Sequence, residues 1–96
     1  MTLESKIEGD SVLEIKRAFG IESIKVGHSG WPDRLVPFAP GRCIWLEFKQ
    51  PKTGVISQRQ KIRKKDLNAM GHEVFYPTSK REAVAIVAQA RRKVGL

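Results

Sequence analysis

Seven residues, Cys43-Ile44-Trp45-Leu46-Glu47-Phe48-Lys49, constrain the fold more than any other stretch of this chain. The run is apolar at even and odd positions alike until its charged end. A half-exposed strand would alternate, so this one reads as a central strand covered on both faces. Gln50-Pro51-Lys52-Thr53-Gly54 breaks it. A central strand needs neighbours on both edges, and three segments offer them. Ile21–Val26 is short and β-branched, Arg34–Phe38 is a second candidate, and Glu73–Tyr76 is closed by Pro77. Pro37 implies an edge or an irregularity within its strand.

Helices fill the remainder. Thr2 is a fitting N-cap and Gly20 a fitting C′ residue for a helix through Leu3 to Phe19. At 100° per residue, Leu3, Ile7, Val12, Ile15, Ala18 and Phe19 share one broad arc, and Glu4, Glu8 and Ser11 fall inside it. Carboxylates at i and i+4 on a buried side are expensive unless paired, which marks Glu8 as a site candidate or as the partner of an internal Lys or Arg. Ser57-x-x-Gln60 is a capping box opening a helix to Met70, with Gly71 as its stop. Ser79-x-x-Glu82 opens another, from Lys80 to about Lys93. Asp66 falls in the arc of Ile62, Ala69 and Met70, where an acid has no evident reason to be. The order α-β-β-β-α-β-α, with a helix between Lys49 and Val74 and a tight turn at Pro40-Gly41, implies a parallel crossover and a hairpin. A mixed α/β sheet flanked by helices follows, as one domain over residues 1–96.

Charge narrows the partner. Eighteen Lys and Arg against ten Asp and Glu give +8, a field that attracts polyanions and nucleic acid above all. Apolar runs fall short of a membrane span, the N-terminus lacks a secretory pattern, and the single cysteine, Cys43, forms no internal disulfide. An intracellular, cytoplasmic setting is expected.

The chemistry-bearing set is Asp33, Glu47 and Lys49. Asp33 follows Trp31-Pro32 at the start of the second strand, and a hairpin across Pro40-Gly41 can set it beside Glu47. Glu47 and Lys49, two apart on a strand, project from one face, while Phe48 points into a core. Two carboxylates suit a hard divalent cation such as Mg²⁺ or Mn²⁺, and an ammonium beside them can orient a water or neutralise charge building on a phosphodiester.

Gly30-Trp31-Pro32-Asp33 followed by Trp45-Leu46-Glu47-Phe48-Lys49 resembles the split signature of PD-(D/E)XK nucleases. The surrounding pattern of Glu8, Ser57 to Gln60 and Gly71 is similar to the virus-type replication-repair nuclease (VRR-NUC) domain. The resemblance runs from about Glu4 to Val87. It implies a restriction-endonuclease-like αβββαβ core with an added C-terminal helix. By it, Asp33, Glu47 and the Phe48 backbone carbonyl would ligate Mg²⁺ or Mn²⁺, and Glu8 would be an outer or second-site ligand. Lys49 would position the attacking water, with Gln60 beside it. It further implies a DNA endonuclease, acting as a homodimer on branched DNA such as four-way junctions, of the phage or bacterial type. A non-catalytic DNA-binding module that kept the fold, and a relative of archaeal-type junction resolvases or restriction-like nucleases, are the alternatives.

Arg59, Lys61, Arg63, Lys64 and Lys65 form a basic run that suits phosphate contact or, more plainly, a solvated helix face. Trp31 could stack on a base or pack beneath its loop. His28 lies near the site on a loop. Arg91-Arg92-Lys93 suits the C-terminal end of a helix dipole.

Overall fold

A computed structural model describes residues 2–96. The elements run α1 (Leu3–Phe19), β1 (Ile24–Lys25), β2 (Arg34–Phe38), β3 (Arg42–Leu46), α2 (Gln58–Ala69), β4 (Val74–Phe75) and α3 (Lys80–Lys93). Strand order is β1-β2-β3-β4, with β1, β2 and β3 antiparallel and β4 parallel to β3. The α2 crossover and the β2–β3 hairpin are those the sequence implies.

Helix boundaries follow local chemistry. The Thr2 side chain accepts the Ser5 amide, and Gly20 ends α1 at φ 69° with its N–H on the Lys16 carbonyl. Only a residue without Cβ takes that conformation freely. Ser57 and Gln60 form a complete capping box on α2. At α3, Ser79 accepts the Glu82 amide, but the Glu82 carboxylate turns to the Thr78 amide instead of completing a reciprocal box.

The main core lies on one side of the sheet. Ile7 and Ile15 of α1 and Ala83, Val87 and Ala90 of α3 meet Val36, Ile44, Leu46 and Phe48. Phe48 is fully buried, and burying such a side chain stabilises by about 2–3 kcal/mol. Even-numbered residues of the Cys43–Lys49 run therefore serve this core, and odd-numbered ones face the side occupied by α2.

Three expectations need correction. Only Ile24–Lys25 pairs as β1, and the Val26 amide on the Asp33 carbonyl is the last cross-strand bond before the chain turns away. The buried stripe of α1 is narrower than the predicted arc: Ile7, Ser11 and Ile15 are buried, whereas Leu3 and Ala18 are exposed. The arc of Ile62, Ala69 and Met70 faces outward, so Asp66 sits on an exposed face, and α2 buries only Leu67. Pro37 lies in an inner strand, yet β1 pairs only with Arg34 and Leu35, so the outer edge at Pro37 is uncovered. Among the described residues no helix is long and apolar enough to cross a membrane.

Candidate active site

The β2–β3 register pairs Arg34 with Leu46 and Leu35 with Trp45. One step further, beyond the formal strand ends, Asp33 stands opposite Glu47. Asp33 Oδ2 accepts the Phe48 amide at 2.8 Å, which fixes its carboxylate over the end of β3. On the other edge, the Glu47 amide donates to the Phe75 carbonyl (2.9 Å) and the Lys49 amide to the Pro77 carbonyl (3.1 Å). The ladder to β4 thus continues past β3 proper and holds both residues rigidly.

Glu47 and Lys49 are only 4% and 8% exposed, a burial charged residues tolerate only when paired or functional. Lys49 Nζ lies 3.8 Å from Glu47 Oε2 and donates to Gln60 Oε1 at 2.9 Å. That same oxygen accepts the Ser57 amide at 2.9 Å. Gln60 therefore completes the α2 cap and anchors the ammonium with one atom. Glu47 Oε1 is buried with no hydrogen-bond partner among the described residues.

Two carboxylates in this enclosure resist ionisation. Burial, and then the Asp33 charge, push the Glu47 carboxyl up to about 8, with Lys49 pulling the other way. Burial also raises Asp33, opposed by the Phe48 amide, and the charge of Glu8 adds to the rise. A pair of acids with raised proton affinity and an orphaned oxygen is a place where added positive charge is stabilising. The donors are hard oxygens, the type preferred by Mg²⁺ and Mn²⁺. Among the described residues no group of three or more His, Cys, Asp or Glu side chains is placed to hold a metal. Two acidic side chains are what the described residues bring together here, few enough to suit an ion that keeps several waters.

Glu8 borders the site but is engaged by cations. Its Oε2 accepts from Arg34 Nε at 2.7 Å and Lys25 Nζ at 2.9 Å, the internal partners that its place on the α1 arc called for. Arg34 and Lys25 went unnoticed in the sequence. The available signal was parity, since Arg34 shares the α1-facing side of β2 with Val36.

The basic run divides. The Arg63 guanidinium lies 4.3 Å from the Trp31 ring centroid and Lys64 Nζ lies 4.8 Å from that of Tyr76. Arg59 packs where a side chain on Gly30 would reach it, 3.5 Å from that Cβ position. Lys61 and Lys65 are exposed. Trp31 also packs on Trp45, with centroids 5.6 Å apart, and its contacts with Arg63 and Trp45 make it part of the joint between α2 and the loop before Asp33. His28 is exposed and meets the Trp31 ring edgewise at 6.3 Å. Tyr76 and Trp45 are site neighbours that sequence reasoning passed over. Tyr76 lines a narrow crevice with Gly30, Pro32, Glu47, Gln60 and Val74.

A cavity of about 590 Å³ lies elsewhere, among Phe19, Ile21, Ile24, Pro37, Phe38 and Leu96. It gathers no acidic cluster. Buried Glu47, with Lys49 beside it, instead lines the small crevice.

This sheet, with α1 and α3 on one face and the acid–acid–lysine set at the end of its central strand, makes a mixed four-stranded α/β fold. A solved structure described as "VRR_NUC domain" superposes with a TM-score of 0.78 at 22% identity, covering 92% of this chain and 97% of its own. Another, described as "VRR_NUC domain protein", gives 0.76 at 16% identity, covering 93% and 88%. Neither a family model nor a curated protein matches the sequence. The chain thus has the VRR-NUC fold, which the Pro32-Asp33 and Glu47-x-Lys49 pattern led one to expect.

Proposed function

We propose that this chain is a divalent-metal-dependent deoxyribonuclease that hydrolyses phosphodiester bonds. The observation that carries the reading is the meeting of Asp33 and Glu47 across the β2–β3 hairpin, with Glu47 Oε1 orphaned and Lys49 alongside. A DNA-binding surface alone gains nothing from buried acids near phosphate. Asp33, Glu47 and the Phe48 carbonyl would hold Mg²⁺ or Mn²⁺, with Glu8 in an outer place. When bound, such an ion supplies Lewis-acid activation of a water and stabilises charge on the phosphoryl oxygens.

The chain's own residues do the rest. Lys49, fixed by Gln60, directs a hydrogen-bond donor toward that water or a non-bridging oxygen. Lys61 and Lys65, with Arg59, Arg63 and Lys64, draw the phosphate backbone to the site, and His28 flanks it. The molecule measures 34 × 31 × 22 Å, so one copy spans about one duplex turn. That size supports a homodimer, whose two sites would cut opposing strands of a branched duplex such as a four-way junction.

The test is cleavage of supercoiled, linear, single-stranded and four-way-junction DNA in parallel, with Mg²⁺, Mn²⁺ or chelator, using wild type and Asp33→Ala. Metal-dependent cutting by wild type alone, strongest on the junction, is expected. Equal cutting by both proteins would overturn the active-site assignment. A junction cut no faster than linear duplex would remove the branched-DNA preference, and a monomer by sedimentation on the junction would remove the paired arrangement.

A further inference from the structure

Gly54 belongs to the loop that breaks the central strand, and its surroundings differ from those of every other described glycine. A Cβ there would lie 2.6 Å from the Gln50 carbonyl oxygen, 2.8 Å from the Gln50 nitrogen and 2.9 Å from Lys49 Cβ. These are backbone and stem atoms, which cannot swing aside as a side-chain tip can. Gly9, Gly20, Gly27, Gly41, Gly71 and Gly95 would meet nothing within 4 Å. Nor does Gly54 take the left-handed conformation. Space, not torsion, is what excludes a side chain.

The loop is tightly wound around this contact. The Gly54 amide donates to the Gln50 carbonyl at 3.1 Å, the Thr53 amide to the Pro51 carbonyl at 2.7 Å, and Lys52 carries φ 66° to make the turn. The result is backbone laid directly against the root of Lys49, while Gln60 holds its tip. An ammonium on a flexible four-carbon stem has many rotamers; gripping both ends leaves few.

We infer that Gly54 is a positioning residue for Lys49, its missing side chain allowing the Gln50–Gly54 loop to close on the lysine stem and aim the ammonium. This rests on the nuclease reading of Lys49. The variants are Gly54→Ala, Lys49→Met, the double variant, and Gly9→Ala as a control, whose added methyl meets open space. Supercoiled plasmid with Mn²⁺ is the substrate, kcat and KM are separated, and Mn²⁺ affinity is read by electron paramagnetic resonance.

Gly54→Ala is expected to lower kcat about 100-fold, the scale of a 1 Å misplacement, with KM and Mn²⁺ affinity within about twofold of wild type. The double variant should match Lys49→Met within about twofold, because a residue acting through Lys49 has nothing left to misplace. Full activity in Gly54→Ala alongside an inactive Lys49→Met would overturn the assignment while leaving the nuclease reading intact, as would a double variant whose losses multiply. An active Lys49→Met would overturn both. If Gly54→Ala does not fold, one glycine inserted between Thr53 and Gly54 lifts the loop without adding bulk. It should lower kcat about tenfold, again without effect in the Lys49→Met background, and wild-type kcat there would overturn the inference.

Discussion

Gln60 Oε1 receives the Lys49 ammonium and the Ser57 amide, each at 2.9 Å, so the cap of α2 and the placement of the lysine share one atom. A helix terminus that must exist for stability thereby doubles as a bracket for the buried Lys49 side chain.

That sharing separates two substitutions. Ser57→Ala removes the N-cap hydroxyl and should cost about 1 kcal/mol of stability with kcat nearly unchanged, since Gln60 can still hold Lys49. Gln60→Ala should lose similar stability and, in addition, about tenfold in kcat. Thermal melts and plasmid-cleavage kinetics on both variants check this; equal kcat in the two would show that Gln60 serves the cap alone.

The raised Glu47 carboxyl predicts how the metal-free protein responds to pH. Its folded value of about 8 lies above the ordinary 4.5, so the folded state binds the extra proton. The stability this contributes is complete below about pH 4.5 and is lost as pH rises through about 8. In chelator, stability should fall by on the order of a few kcal/mol across that window, and Glu47→Gln should flatten the slope. Denaturant melts from pH 5 to 9 measure it; a flat wild-type profile would contradict the burial of this acid as described.

Glu8 answers to two cations, and the energetics can be read without DNA. Glu8→Ala leaves Arg34, whose side chain is only 19% exposed, without its partner, and should cost about 2 kcal/mol in chelator. Arg34→Met in the Glu8→Met background should recover part of that loss. Melts of wild type, Glu8→Met, Arg34→Met and the double variant give the coupling, and no loss in Glu8→Ala would leave Glu8 without a structural role.

Lys61 and Lys65, exposed on α2, should behave differently from Arg63, which packs on Trp31. Replacing either lysine by Ala should weaken DNA binding uniformly and lower the salt-dependence slope by about 1, with melting unchanged. Arg63→Ala should lower stability by about 1 kcal/mol through the lost cation–π contact. Fluorescence anisotropy against salt, paired with melts, distinguishes them.

Much of this was legible because it rests on local rules. Alternation and its failure in Cys43–Lys49 marked the central strand; Thr2, Gly20, Ser57 and Ser79 marked helix ends; parity put Glu47 and Lys49 on one face. The Arg34–Leu46 register confirms the hairpin that brings Asp33 opposite Glu47. What escaped depends on tertiary placement. Periodicity alone could not say that Ile62 and Met70 face solvent, because a helical arc has no sign until something packs on it. Nor could it say that Arg34 reaches Glu8 across 26 residues, or that Gly54 is glycine for want of room rather than for a turn.

The central claim, that Asp33 and Glu47 share one divalent cation, is most directly tested by anomalous scattering from a crystal soaked in Mn²⁺. The account predicts a single strong peak between the two carboxylates, with Lys49 close by, that vanishes in Asp33→Asn. An empty pair of acids, or an ion bound undiminished in the variant, would contradict it.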